Sequence, residues 1–165
     1  MDQSEVEHRK FNVKQYIDDV LVSLGPNFRQ NRHAVSVQCP DDLEVESYPG
    51  VFSQVITNLL MNSLQHGFDH IDDGKISIDI NKNEKSDELL IDYHDNGKGM
   101  NKEAEKKVFE PFFTTKRGQG GTGLGMHIVY NLVTQALGGK ILCKSSLGKG
   151  TLFSISLPLT PSYVS

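Results

Sequence analysis

The chain has 165 residues, the length of one ordinary domain with room for a sizeable core. Its 17 basic and 21 acidic residues leave a net charge of -4, which excludes a strongly basic nucleic-acid-binding face. The two cysteines stand far apart in apolar contexts and read as reduced core thiols. No apolar run approaches the length of a membrane span and no signal peptide opens the chain.

Met1 to Lys10 is polar and lacks a core pattern, so it reads as a tail or the stump of an upstream element. Apolar residues at Phe11, Val13, Tyr16, Ile17, Val20, Leu21 and Leu24 predict an amphipathic helix that Gly25-Pro26 stops. Val35 to Gln38 and Leu43 to Glu46 read as short strands on either side of the turn at Pro40-Asp41-Asp42. Tyr48 to His66 is the next helix, with Val51, Phe52, Val55, Ile56, Leu59, Leu60 and Leu64 on its apolar side.

Gln54, Asn58, Asn62 and His66 recur every fourth residue of that helix and share one stripe. A solvated polar face is the plain alternative. Against it, the stripe holds no Lys or Glu, and a carboxamide oxygen suits a hard cation such as Mg²⁺. His66 and His70 have zinc-like spacing, but Gly67 ends the helix and no Glu accompanies them.

Lys75 to Ile80 and Leu89 to His94 alternate as two strands joined by a polar turn at Asn83 to Asp87. The second delivers Asp95 beside Gly97 and Gly99. Glu103 to Val108 reads as a short helix, and Phe109 to Gly121 as a mobile loop with phenylalanine anchors. Gly123 to Leu137 is apolar on most sides, which predicts a well-buried helix ended by Gly138-Gly139. Lys140 to Ser145 and Thr151 to Leu157 form a hairpin, after which Pro158 and Pro161 close the domain.

A carboxylate only accepts hydrogen bonds, and adenine offers a donor where guanine offers an acceptor. Asp95 at a strand end would therefore select adenine, with Gly97 and Gly99 letting the base lie against backbone. The alternative is a simple Asp-Asn-Gly turn. The glycine cluster from Gly118 to Gly125 leads into a helix, an arrangement suited to phosphate. No Gly-Lys pair is followed by Ser or Thr, so a P-loop is absent. Gly118 to Gly123 fits a dinucleotide fingerprint by letter but follows no strand.

Taken together, Asn58-x-x-x-Asn62, Asp95-x-Gly97-x-Gly99, Phe109-Glu110-Pro111-Phe112-Phe113, Gly121-x-Gly123-x-Gly125 and Gly148-x-Gly150-Thr151 resemble, in order, the sequence boxes of one family. It is the ATP-binding catalytic domain of bacterial sensor histidine kinases, and the resemblance covers roughly Phe11 to Pro158. It implies an α+β fold: a two-layer sandwich with a mixed, mainly antiparallel sheet, three helices on one face and a mobile ATP lid. The expected domain runs over 11–160, with tails at 1–10 and 161–165.

The resemblance further implies that Asn62 binds Mg²⁺ with support from Asn58, that His66 reaches the phosphates, and that Asp95 holds adenine with Thr151 nearby. Lys116 and Arg117 would contact the terminal phosphates, Lys116 joining Asn58 and Asn62 as a catalytic residue. Met100, Phe109, Phe113, Thr115, Gly120, Gly121, Thr122, Gly123, Leu124 and Gly125 complete the implied nucleotide contacts. The phosphate would pass from Mg-ATP to a histidine on a separate dimerisation domain, and onward to a response-regulator receiver domain.

None of the six histidines sits in an acceptor context; His8 is followed by Arg9 and Lys10. The chain thus reads as a cytoplasmic, monomeric half of a homodimeric kinase, with no nucleic-acid or membrane contact of its own and a membrane anchor in the parent left open. The alternatives are a hydrolysing member of the superfamily, in which a glutamate at the first N-box position activates water, and a nucleotide-binding scaffold. Asn58 has no useful basicity and does not fit the hydrolase.

Overall fold

The computed structural model describes residues 7–113 and 125–159. In chain order they form β1 (Arg9–Asn12), α1 (Val13–Arg29), β2 (Ala34–Gln38), β3 (Glu44–Ser47), α2 (Pro49–Asn62), β4 (Lys75–Asn83), β5 (Glu88–Asp95), α3 (Lys102–Lys107), α4 (Gly125–Asn131), β6 (Lys140–Ser145) and β7 (Thr151–Pro158). Single π-helical turns extend α2 through Ser63–Gly67 and α4 through Leu132–Ala136.

Five strands make one sheet in the order β2-β4-β5-β7-β6, parallel between β2 and β4 and antiparallel elsewhere. Along each inner strand the side chains alternate between core and solvent, as the two-residue period demands. Ile76, Ile78 and Ile80 of β4, Leu89, Ile91 and Tyr93 of β5, and Phe153, Ile155 and Leu157 of β7 face the helices. They pack into a single core with Ile17 and Val20 of α1, Phe52, Val55, Ile56, Leu59 and Leu60 of α2, and Met126 and Val129 of α4. The expected mixed-sheet α+β sandwich is therefore present.

Three local expectations are corrected. The chain before Phe11 is not all tail: Arg9 and Lys10 belong to β1, which pairs with β3 as a separate two-stranded ribbon. His8 lies edge-on to Tyr48 with ring centroids 5.1 Å apart. Helix α1 does not stop at Gly25-Pro26 but continues to Arg29 with Pro26 inside it. The carbonyl deprived of its partner by Pro26 belongs to Val22, whose residue is 80% exposed, and buried Phe28 anchors the final turn.

The third correction concerns α4. Met126, Val129, Val133 and Leu137 are buried, but Ile128 and Tyr130 are exposed, so the helix buries one face rather than most of its circumference. No helix among the described residues is long and apolar enough to cross a membrane.

Candidate functional site

Helix α2 starts on Pro49, whose fixed φ suits a first helical turn where its missing N–H has no intrahelical partner to lose. Its apolar face lies on the sheet, leaving Asn58, Asn62 and His66 half-buried along one edge and Gln54 exposed. Gln54 Nε2 donates to Asn58 Oδ1 at 2.7 Å. After Asn62 the helix widens: the Phe68 N–H reaches the Ser63 carbonyl at 2.7 Å, closing a π-type turn. Such turns recur at functional sites because they reposition the residues beyond them.

The widened turn places Ser63, fully buried, against the end of β5. Ser63 Oγ donates to Asp95 Oδ2 at 2.7 Å, and the Gly97 N–H donates to Asp95 Oδ1 at 3.0 Å. Tyr93 is two residues upstream on the same strand face. Its hydroxyl lies 2.7 Å from Ser63 Oγ and donates to the Leu59 carbonyl at 3.1 Å. Burial pushes the Tyr93 phenol well above its ordinary pKa. Asp95 itself is 1% exposed.

Across the sheet, Asp95 stands opposite Thr151, and Thr151 opposite Ser145. Ser145 Oγ accepts the Met100 N–H at 2.8 Å, donates to the Gly150 carbonyl at 2.8 Å and lies 2.9 Å from Thr151 Oγ1. A hydroxyl has one proton, so with Ser145's on Gly150 the Thr151 hydroxyl must supply the proton of that last contact. The Ser145 N–H donates to Glu105 of α3 at 2.6 Å. These bonds lash α3 and the Gly97-Lys98-Gly99 loop to the β6–β7 hairpin.

The first glycine pair is packed closely by the chain's own backbone. A Cβ on Gly97 would stand 2.2 Å from the Gly67 carbonyl, which also accepts the Lys98 N–H at 2.8 Å. Gly99, at φ +70, backs onto the Ser146 carbonyl. Asn96 fixes the other side, exchanging hydrogen bonds with the backbone of Lys75.

The structure thus brings together Asp95, Gly97, Gly99, Met100 and Thr151, with Asn62 joined to them through its neighbour Ser63. Phe109 is half-buried against Tyr130 and Phe153, at centroid distances of 5.4 and 6.1 Å, so it serves the core. Phe113 is half-buried, and Gly125 opens α4 with no atom of the described residues within 4 Å of where its side chain would begin. Thr115, Lys116, Arg117, Gly120, Gly121, Thr122, Gly123 and Leu124 lie outside the described residues, as does most of the expected lid. The sequence reading missed Ser63, Tyr93, Ser145 and Glu105. The available signal was position: Ser63 adjoins Asn62, and Tyr93 shares the strand face of Asp95.

A half-exposed carboxamide beside a buried, donor-held carboxylate fits a nucleotide whose base is inside and whose metal-bearing phosphates are near solvent. Residues 49–161 match the family model of histidine kinase-, DNA gyrase B-, and HSP90-like ATPases. Sporulation kinase E of Bacillus subtilis is 31% identical over 155 residues, covering 93% of this chain and 20% of that kinase. The catalytic domain of histidine kinase ThkA superposes with a TM-score of 0.81 at 29% identity, over 94% of this chain and 97% of that one. ThkA in complex with response regulator TrrA gives a TM-score of 0.78 at 25% identity, over 95% of this chain and 43% of that one. The chain spans about a fifth of sporulation kinase E. With its strand order, its α2 stripe and its buried Asp95, the chain belongs to the histidine kinase-, DNA gyrase B-, and HSP90-like ATPase family, as a catalytic domain of the sensor histidine kinase kind.

Proposed function

We propose that this domain binds Mg-ATP and donates the γ-phosphoryl group to a histidine on a separate helical dimerisation domain. The observation that carries the reading is the link from Asp95 through Ser63 to Asn62, which ties a base-reading carboxylate and a metal-suited carboxamide into one packed unit. In this reading Asp95 accepts the adenine amino proton, and Thr151 stands beside it in register. Asn62 holds Mg²⁺, Asn58 supports it, and His66, Lys116 and Arg117 serve the phosphates. Magnesium, when bound, supplies positive charge against the phosphate oxygens.

Asn58 favours transfer over hydrolysis. A carboxamide cannot take a proton from water at neutral pH, and its oxygen already accepts from Gln54. In this reading the acceptor comes from elsewhere, and the half-burial of His8 against Tyr48, with its Nε2 shut off from solvent, supports it. The parent is a homodimeric kinase in this reading, its catalytic part cytoplasmic and its product passed to a receiver domain.

The test is to incubate the chain with γ-labelled ATP, with and without a histidine-bearing dimerisation domain added in trans. Label on the added domain alone is the expected outcome. Robust labelling of the chain at His8 overturns the half-enzyme reading, and rapid release of ADP without a partner favours the hydrolase.

A further inference from the structure

The proton arrangement behind Asp95 extends the proposed reading and rests on Asp95 as the adenine reader. A carboxylate offers no proton, so the 2.7 Å contact between Ser63 and Asp95 uses the serine's single hydrogen. Ser63 therefore has none left for Tyr93, yet their oxygens are also 2.7 Å apart. That second contact needs the phenol proton, shared between Ser63 Oγ and the Leu59 carbonyl at 3.1 Å. With its single proton between two acceptors, Tyr93 is the donor towards both Ser63 and Leu59, and Ser63 donates to Asp95. Burial, which pushes the phenol's pKa up, keeps the proton at the head of this relay.

Geometry adds a constraint. Asp95 Oδ1 is held by the Gly97 N–H, and Gly67 packs so closely that a Cβ there would stand 2.9 Å from Oδ2. Both carboxylate oxygens are thus pinned by donors from the chain, and what remains towards the base is acceptor capacity only. We infer that Ser63 and Tyr93 are positioning residues for base selectivity: their relay fixes the rotation of the Asp95 carboxylate so that it accepts from a purine 6-amino group and rejects a 6-oxo group. Neither side chain is asked to touch the nucleotide. A buried site built to accept one hydrogen bond discriminates strongly because a ligand lacking the donor leaves the acceptor unpaired.

The experiment compares binding of ATP and of purine riboside triphosphate, which lacks the amino group, by calorimetry with Mg²⁺ on the full chain and on S63A, Y93F and D95N. S63A is expected to weaken ATP about fivefold while leaving the analogue within about twofold of wild type, and Y93F to do the same at about half that size. S63C, nearly isosteric and a weaker donor, should fall between S63A and wild type. A merely structural serine would weaken both nucleotides alike, and that result overturns the inference. So does an unchanged ATP-to-analogue ratio in S63A when D95N collapses it. If D95N itself leaves the ratio intact, the reading of Asp95 fails instead. Should S63A not fold, Y93F, which removes one oxygen and no packing, decides by the same ratio.

Discussion

At the Asp95 end of the site both carboxylate oxygens are held from within the chain, by Ser63 and by the Gly97 N–H. Along the α2 stripe, Asn58, Asn62 and His66 are half-buried, and Asn58 accepts from exposed Gln54. The glycines differ in the same way. Gly97 and Gly99 are crowded by neighbouring backbone, whereas a Cβ on Gly125 would meet no atom of the described residues within 4 Å. One end is therefore preorganised, with its ordering cost met during folding, and the other is, in the proposed function, where nucleotide phosphates and metal add their contacts. Substitutions at the first end should disturb the fold as well as binding; at the second they should disturb binding alone.

The largest effect is expected at Gly97. A methyl group there would have to displace the Gly67 carbonyl, which is backbone and cannot swing away. Gly97→Ala should cost about 3 kcal/mol and lower the melting temperature by roughly 10 °C without any nucleotide present. A nucleotide-free melting curve like that of wild type, combined with a binding defect, would return Gly97 to the role of making room for the base.

Next comes the carboxylate. Asp95→Asn keeps the shape but turns one acceptor into a donor, and the Ser63 hydroxyl can rotate to accept from it. The fold should survive with a smaller loss of melting temperature than Gly97→Ala. ATP affinity should fall at least about tenfold, or about 1.4 kcal/mol. Wild-type affinity by calorimetry would remove Asp95 from base recognition.

At the open end, Asn62→Ala should weaken ATP about fivefold with Mg²⁺ present and hardly at all without it. Because Asn62 is half-exposed at a helix edge, the free energy of unfolding should change by no more than about 0.5 kcal/mol. Loss of stability without loss of Mg²⁺ dependence would make the stripe structural.

The same contrast explains what the sequence revealed. Periodicity is a long-range average, so the strands over Ile76, Ile78 and Ile80 and the apolar side of α2 were legible, as was Asp95 arriving at a strand end. Ser63 and Tyr93 were not, because a serine on an apolar helix face and a tyrosine in an alternating strand look like ordinary core until their partners are known. The packing of Gly97 against Gly67 was not legible either, since it depends on the π-type turn after Asn62. At Pro26 a local stop signal lost to tertiary packing, with Phe28 buried two residues beyond.

The smallest expected effect probes the two edges of the sheet. Cys143 lies on edge strand β6, two residues before Ser145, and Cys39 directly follows β2 at the opposite edge. Burial pushes the Cys143 thiol up to about 12, with Glu105 and Asp95 adding to the shift, and the Cys39 thiol up to about 11. An unfolded cysteine titrates near about 8.5. The neutral thiols therefore favour the fold fully below that pH, and this contribution is lost as pH rises towards 11–12. Urea midpoints should fall between pH 8 and pH 10, and Cys143→Ala should flatten that slope relative to wild type. At pH 8 both thiols should react slowly with iodoacetamide in the native chain, Cys143 more slowly than Cys39, because only the thiolate attacks. Equal, rapid alkylation of both would show that the edge beside Asp95 is as open as the α2 stripe, and the contrast between a closed and an open end would fail there.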